Sequence, residues 1–275
     1  MKSQIFFVFI CFLLYCSCSK PAAEPEVTDS AVAGTGMVVI KEYHSNGKVK
    51  TEIAAVGQLR NGPTRNYDRE GRLLSEVNYI DNVKEGLATN YYANTGKVNS
   101  TLEFKNGIKE GNEIWYYESG KEYRISPFVT GKIEGVQKLF YENGQLMAEI
   151  PYKEGFPGEG LKEYNKDGSV IKGYPRLMVR QKDHLADANK VLLVISVSDE
   201  STDVKFYKGN LGEGKFINAK LLLLATQGGK TQIDFNIPPG SMLNQTVVIS
   251  AVIKTRFGNP YVSHKTVNLS VMNPK

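Results

Sequence analysis

The chain has 275 residues, of which 41% are hydrophobic and 23% are charged, and its formal net charge is +5. This length and composition are typical of one large or two ordinary globular domains. All three cysteines lie within the first 18 residues, and the chain has only three histidines. Residues 19–275 therefore contain no thiol nucleophile, disulfide or cysteine zinc site, and the counts favour a non-enzymatic protein.

The first residues have the pattern of an export signal. Lys2 precedes an apolar run over residues 5–15, which is too short to span a bilayer but has the length of a signal-peptide core. The run ends at Ser17-Cys18, and this pattern resembles a bacterial lipoprotein signal, in which cleavage precedes a cysteine that is then acylated. We predict a signal peptide over residues 1–17 and lipidation of Cys18, whose acyl chains would hold the protein to a membrane. An ordinary cleaved secretory signal is the alternative.

Residues 18–36 are predicted to form a lipidated tether. They are mostly small, include two prolines and contain no aromatic residue. Such a segment cannot form a core, so we expect an extended linker. Beyond it, no run of the chain reaches 18 apolar residues, and no transmembrane helix is predicted.

The middle of the chain repeats with a period of 24 or 25 residues. One glycine column consists of Gly47, Gly71, Gly96, Gly120, Gly144 and Gly168. Four positions before each glycine stands an aromatic residue: Tyr43, Tyr67, Tyr92, Tyr116, Phe140 and Tyr164. A second glycine column, Gly62, Gly86, Gly111 and Gly135, keeps the same spacing. A register held over about six units identifies residues 37–174 as a repeat array, in which we expect the aromatic column to be structural packing.

Each unit is predicted to be a β-hairpin. Alternation of apolar and polar residues, as in Val77-Asn78-Tyr79, is typical of strands, and dipeptides such as Asn106-Gly107 are typical of tight hairpin turns. One hairpin cannot bury its own face, so stability requires stacking on its neighbours. Six two-stranded units would then form an elongated array of roughly 55–60 Å at about 4.8 Å per strand.

The segments YHSNGKVKTEI at 43–53, FKNGIKEG at 104–111 and FYENGQLMAEI at 140–150 carry a family resemblance. They resemble the bacterial variant of the MORN repeat, some members of which are described as antitoxins. The resemblance implies an all-β array that serves as a scaffold or binding surface, and it does not fix a partner. The fourth unit departs from the pattern, because Glu122 and Ser126 stand where apolar residues are expected.

Residues 175–275 are predicted to form a separate Ig-like β-sandwich. Seven apolar-alternating runs separated by turn clusters are typical of that fold, although no cysteine pair is present. The runs cover residues 176–181, 190–198, 203–208, 217–225, 230–237, 245–255 and 261–272. This segment has a net charge of +6, whereas residues 37–174 are neutral. A basic surface at a bacterial envelope could meet acidic polysaccharide or protein, but a solvated surface is the simpler interpretation.

No catalytic motif or cofactor fingerprint is present, and we predict no catalytic residue, cofactor or metal. The three histidines, His44, His184 and His264, have no evident acidic partner. Glutamates recur in register: Glu52, Glu76 and Glu149 in one column, and Glu85, Glu110 and Glu134 before the second glycines. We interpret them as a solvated row, with a calcium-binding row as the alternative.

Trp115 and Tyr117 are the candidate ligand platform. Residues two apart share one face of a strand, and the other repeats place polar residues such as His44 and Asp68 in the column of Tyr117. Exposed tryptophan and tyrosine at such positions favour binding of a sugar chain, peptide or partner sheet. Packing between repeats is the competing interpretation.

These observations predict a non-enzymatic lipoprotein of a Gram-negative, Bacteroidota-like envelope. We expect it to lie at the outer membrane through its lipid anchor, to bind an envelope protein or polysaccharide, and not to bind nucleic acid. The alternative is an exported immunity or antitoxin-like protein that neutralises a toxin. A carbohydrate-active enzyme is a third, less favoured, hypothesis.

Overall fold

The computed structural model describes residues 26–28 and 36–274, which form 21 β-strands and one short α-helix. This confirms the predicted all-β class. The predicted signal peptide, Cys18 and most of the tether lie outside the described residues. Within the described residues, no helix combines the length and apolar character needed to cross a membrane.

The repeat array is one antiparallel sheet of 14 strands in which neighbours in sequence are neighbours in space. Two short strands lie off the path, with β10 paired to β9 and β14 paired to β12. The strands are β1 (Glu26–Thr28), β2 (Met37–Tyr43), β3 (Val49–Val56), β4 (Leu59–Tyr67), β5 (Leu73–Ile80), β6 (Val83–Tyr91), β7 (Val98–Lys105), β8 (Ile108–Tyr116), β9 (Glu122–Val129), β10 (Lys132–Ile133), β11 (Gly135–Phe140), β12 (Leu146–Lys153), β13 (Phe156–Pro157) and β14 (Lys162–Glu163). Residues 26–28 depart from the tether prediction, because they pair with β2 and extend the sheet.

The glycines of the two-residue turns and those of the second column serve different purposes. The tight turn at Asn106-Gly107 has positive φ at both residues, 51° and 78°, as hairpin turns of this type require. Gly111, from the second column, lies opposite Phe128 on the neighbouring strand and also has positive φ. The same pairing of glycine with an aromatic recurs at Gly62–Tyr79, Gly86–Phe104 and Gly135–Tyr152.

The aromatic column contains one misassigned residue. In the other units, the column aromatic pairs with the residue that follows the turn, as Tyr116 does with Glu122 and Tyr164 with Val170. In the third unit that residue is Tyr91, which pairs with Val98 and ends β6, whereas Tyr92 lies beyond the strand. The extra residue of this 25-residue unit is therefore in the turn. Counting back from Gly96 assigns Tyr92 to the packing column, and that assignment is wrong.

The C-terminal region is a two-sheet sandwich. One sheet has the order β15-β16-β19 and the other β18-β17-β20-β21. The elements are β15 (Leu177–His184), α1 (Leu185–Ala188), β16 (Lys190–Val197), β17 (Val204–Lys208), β18 (Leu222–Leu223), β19 (Thr231–Asn236), β20 (Met242–Lys254) and β21 (Pro260–Met272). A single core joins the sheets, and it includes the fully buried Leu193, Ile195, Phe206 and Ile249. The Ig-like assignment stays a prediction.

The strand predicted over residues 217–225 is much shorter in the structure, where only Leu222–Leu223 pair with β17. The residues before them form a loop that packs against the end of the array. Ile217 donates its backbone N–H to Pro157 O at 3.1 Å, and Phe216 forms an isolated bridge with Gly158. Contact with the array thus takes the place of pairing within the sandwich.

Candidate binding surfaces

A column of tyrosines ties the third, fourth and fifth hairpins each to the next. The hydroxyl of Tyr92 donates to Tyr116 O at 2.6 Å, and the hydroxyl of Tyr117 donates to Phe140 O at 2.8 Å. Tyr141 repeats the bond to Tyr164 O at 2.7 Å. In the first unit, His44 occupies the same column, and its Nε2 lies 3.0 Å from Tyr67 O. The column therefore connects units through half-buried backbone carbonyls rather than facing a ligand.

This geometry removes the argument for Tyr117 as half of the platform. Tyr117 lies one residue beyond the end of β8, after a register shift between Trp115 and Tyr116. Its column contains two further tyrosines, so it is not a polar column with one exceptional aromatic. Its ring also packs edge-to-face on Tyr123 with a centroid separation of 5.2 Å, and burial raises its pKa. Tyr117 is a packing and hydrogen-bonding residue.

Trp115 is half-buried and carries a cation on its ring. The Arg124 guanidinium, from the directly paired position on β9, lies 5.0 Å from the indole centroid. Glu113 holds Arg124 at 3.5 Å, and the indole N–H is buried without a hydrogen-bond partner among the described residues. One face of the indole is thus covered by Arg124. A ligand-binding role for Trp115 stays a prediction.

The glutamates that precede the second glycines cap the turns of the following hairpin. The Glu85 carboxylate accepts the backbone N–H of Asn106 at 2.7 Å, and Glu110 accepts that of Thr130 at 2.9 Å. Glu134 does the same for the N–H of Glu154 at 2.7 Å. Each N–H belongs to a turn residue with positive φ. These carboxylates lie at the exposed surface, and each one also bonds to a neighbouring turn, so they have a structural use beyond a solvated row.

The other glutamate column is paired across strands. Glu52 accepts the Tyr67 hydroxyl at 2.8 Å and lies 3.1 Å from the Lys41 ammonium. Burial opposes ionisation of Glu52, but the bonds from Tyr67 and Lys41 outweigh it and lower its pKa. Glu76 pairs with Arg65. Among the described residues, no three histidine, cysteine or acidic side chains are grouped as metal ligands would be.

Two of the three histidines do have acidic partners, contrary to the sequence interpretation. His184 Nδ1 lies 3.3 Å from the Asp187 carboxylate on the exposed end of the sandwich. His264 Nδ1 contacts the Glu159 carboxylate, which belongs to the array. The second contact joins residues more than 100 positions apart, so nothing in the local sequence indicates it.

The array and the sandwich share a packed junction. The Glu163 carboxylate is buried there and accepts hydrogen bonds from Thr255 Oγ1 and Asn259 Nδ2, both at 2.6 Å. The rings of Tyr174 and Tyr261 stack with centroids 4.6 Å apart beside a small core built on Ile150 and Leu161. A satisfied buried carboxylate next to apolar packing fixes the relative position of the two parts.

A cavity of about 600 Å³ opens at the same junction. The array supplies Lys153 and Phe156 from its last hairpin, and the loop before β18 supplies the opposite wall. Lys153 and Glu213 form an ion pair at 3.3 Å across the boundary. The size is within the range of ligand sites, which often lie between domains. No local sequence pattern predicts this site, because it depends on how the array and the sandwich meet.

A row of exposed aliphatic side chains runs along the turn edge of the array. The residues flank the two-residue turns and are between 38% and 54% exposed: Val56, Leu59, Ile80, Val83, Ile108 and Val129. The row recurs once per hairpin, and lysines replace the aliphatic residue at Lys105 and Lys132. Exposed apolar residues in a continuous row are a feature of interaction surfaces.

Comparison with known proteins supports the repeat assignment. The family model described as "MORN repeat variant" matches residues 109–129 and 133–154, so these two segments of the array are similar to that repeat. Comparison with curated proteins finds no match. One similar solved structure is the extracellular domain of a protein described as a one component system from B. thetaiotaomicron, at 12% identity and a TM-score of 0.24. The match covers 88% of this chain but only 36% of that one, and a likeness at this level carries no functional argument.

Proposed function

We propose that this protein is an exported, lipid-anchored and non-enzymatic protein of the bacterial envelope, in which a rigid MORN-type array presents binding surfaces and the C-terminal sandwich. The observation that carries the proposal is the use of the recurring side chains. The tyrosine hydroxyls and the glutamates before the second glycines bond to the next hairpin. Such residues build a scaffold, and the exposed surface that remains is suited to binding.

The geometry supports a spacer role. The tether would enter the array beside β1, at one end of the strand order, and the sandwich packs against the other end. The path from β1 to β13 contains 12 strands, which at about 4.8 Å per strand separate the two ends by roughly 50 Å. An acylated Cys18 would then hold the sandwich well away from the lipid surface.

The anchor is tested by cell fractionation with Cys18→Ser. We expect the wild-type chain in the membrane pellet and the variant in the soluble fraction, because acyl chains supply the membrane affinity. Equal partition of the two proteins would contradict lipid anchoring. Ser17→Ala, which keeps the cysteine and a small preceding residue, is the matched control and should stay in the membrane.

The binding role is tested by photo-crosslinking the full chain in native membranes, followed by affinity capture. A specific envelope protein or polysaccharide recovered with the wild-type chain would support the proposal. Recovery of a toxin domain, together with protection of cells from that toxin, would favour the immunity alternative. Hydrolysis of envelope glycan by the purified chain would contradict a non-enzymatic role.

A further inference from the structure

The open edge of the sandwich is apolar where it meets the junction cavity. Strand β18 (Leu222–Leu223) is the edge of its sheet and, within the described residues, pairs only with β17. Leu222 and Leu223 are 61% and 57% exposed. Natural edge strands are commonly protected by charge, proline or a covering segment, and two exposed leucines do the opposite.

The backbone of this edge is available for pairing. Leu224 donates its N–H to Phe206 O at 2.9 Å, on the β17 side. Successive residues of an antiparallel strand point their polar backbone groups to opposite sides, so the N–H and C=O of Leu223 point to the open side. An extended chain laid along the edge could bond to them.

The cavity continues the same surface. Leu221, which lines it, directly precedes β18, so the cavity begins where the edge begins. The wall also contains Phe156, Leu211 and Phe216, which offer apolar contact rather than hydrogen bonds. The volume of about 600 Å³ can accept large apolar side chains beside the edge.

The loop that forms the wall is already ordered. Gly212 donates its N–H to Phe216 O at 2.8 Å, and the Asn218 amide donates to Asn210 O at 3.3 Å. Phe216 lies directly against Gly158 of the array, where a side chain would collide with its ring. A pre-formed wall lowers the ordering cost of binding.

From this combination we infer that the β18 edge and the junction cavity bind an extended, apolar segment of a partner polypeptide, which adds as a strand and inserts side chains into the cavity. The inference rests on the proposed binding function and names its partner class. Strand addition obtains affinity from main-chain hydrogen bonds and specificity from pockets for alternate side chains. At the β18 edge a glycan is less well matched, because the side chains of Leu222 and Leu223 supply none of the hydrogen bonds that sugar hydroxyls need.

The test selects a phage-displayed random decapeptide library on the purified full chain. We expect enriched sequences with alternating apolar residues. The best peptide should lose at least tenfold in affinity when its backbone is N-methylated at alternate positions, since that removes main-chain donors. Leu223→Lys, which charges the edge, and Ala219→Trp, which fills the cavity from an exposed lining position, should each weaken binding at least tenfold.

Met242→Lys is the matched control, because Met242 is 61% exposed, close to the 57% of Leu223, but lies on β20 and neither forms the β18 edge nor lines this cavity. It should bind the peptide like the wild type, and all three variants should keep the wild-type melting temperature. Absence of alternating apolar sequences, or equal binding by Leu223→Lys and Ala219→Trp, would overturn the inference. So would binding to a glycan array that Ala219→Trp removes while no peptide is enriched. If native capture succeeds but these results fail, the proposed function stands and this inference does not.

Discussion

Removing the hydroxyls of the tyrosine column should loosen the array without disturbing its packing. Tyr92→Phe, Tyr117→Phe and Tyr141→Phe each delete one bond to a backbone carbonyl of the next unit. The rings remain in place, so apolar burial is unchanged. Each substitution leaves a carbonyl without its donor, and the loss is expected to fall mainly on the contact between units.

The expected cost is about 1 kcal/mol per hydroxyl, the usual net value of a protein hydrogen bond. The bonds are two strands apart, roughly 10 Å, so their effects should be nearly additive. The triple variant should therefore lose about 3 kcal/mol. With a urea m-value of about 2 kcal/mol per molar, the midpoint should fall by about 1.5 M.

Trp115 provides the assay. It is the only tryptophan in the chain, and it lies half-buried in the fourth unit under Arg124. Its fluorescence during urea unfolding therefore follows the array and not the sandwich. A repeat array can unfold in parts, so the midpoint of this local signal is the quantity to compare.

The neighbouring residue supplies the control. Tyr91 has no side-chain hydrogen bond among the described residues, so Tyr91→Phe should leave the midpoint within about 0.3 M of wild type. Equal shifts for Tyr91→Phe and Tyr92→Phe would show that ring packing, not the hydroxyl column, connects the units. A triple variant with an unchanged midpoint would refute the reasoning altogether.

Three other contacts, within the array and at its junction with the sandwich, can be tested in the same way. Burial, together with the hydrogen bond to Glu52, raises the pKa of Tyr67 to about 12. The stability that the neutral hydroxyl contributes is therefore complete below about pH 10 and is lost as the pH rises through about 12. Between pH 9 and 12, the urea midpoint should fall less in Tyr67→Phe than in the wild type. Gly158→Ala should displace the facing phenylalanine ring and speed limited proteolysis at the junction, whereas Gly212→Ala, where a Cβ would make only ordinary van der Waals contacts and φ is not positive, should not. Glu159→Ala should increase hydrogen exchange in β21, whereas Glu110→Ala should increase it only in neighbouring hairpins; unchanged exchange in β21 would contradict the contact between the array and the sandwich.

Much of the fold was predictable because the repeat pattern depends on residues that are close in sequence. Turn dipeptides such as Asn106-Gly107 and the alternating strands depend only on neighbouring residues. The same is true of most strands in the sandwich. By contrast, the loop before β18 follows a contact with the array that local alternation does not encode, and its predicted strand is reduced to two residues.

The site was harder to predict because its contacts join residues one repeat apart. The register of side chains between hairpins decides whether a glutamate reaches the turn of the next hairpin. The spacing of the glycines alone does not determine that register. One signal was present in the sequence. The packing column tolerates Phe140, whereas the aromatics in the next column, Tyr92, Tyr117 and Tyr141, all carry a hydroxyl. The hydroxyl at all three aromatic positions of this column indicates that the column forms hydrogen bonds.

The inter-repeat bonds also explain why the array ends in a sandwich. Each hairpin supplies side chains that bond to the next one, so the last hairpin is left with side chains that have no following repeat. Glu159 precedes Gly160 as Glu134 precedes Gly135, and it contacts His264 and lies 3.3 Å from Lys215 instead of capping a turn.

Asn165 completes this substitution of sandwich for repeat. In the last unit it occupies the position of the tyrosine column, and it accepts a hydrogen bond from Arg256 at 3.2 Å. In earlier units the residue at this position bonds to the backbone of the next hairpin. The buried Glu163, held by the sandwich residues Thr255 and Asn259, lies between these contacts. The sandwich thus receives the bonds that a further repeat would receive. The side chains that would join a further repeat therefore join the array to the domain that it presents.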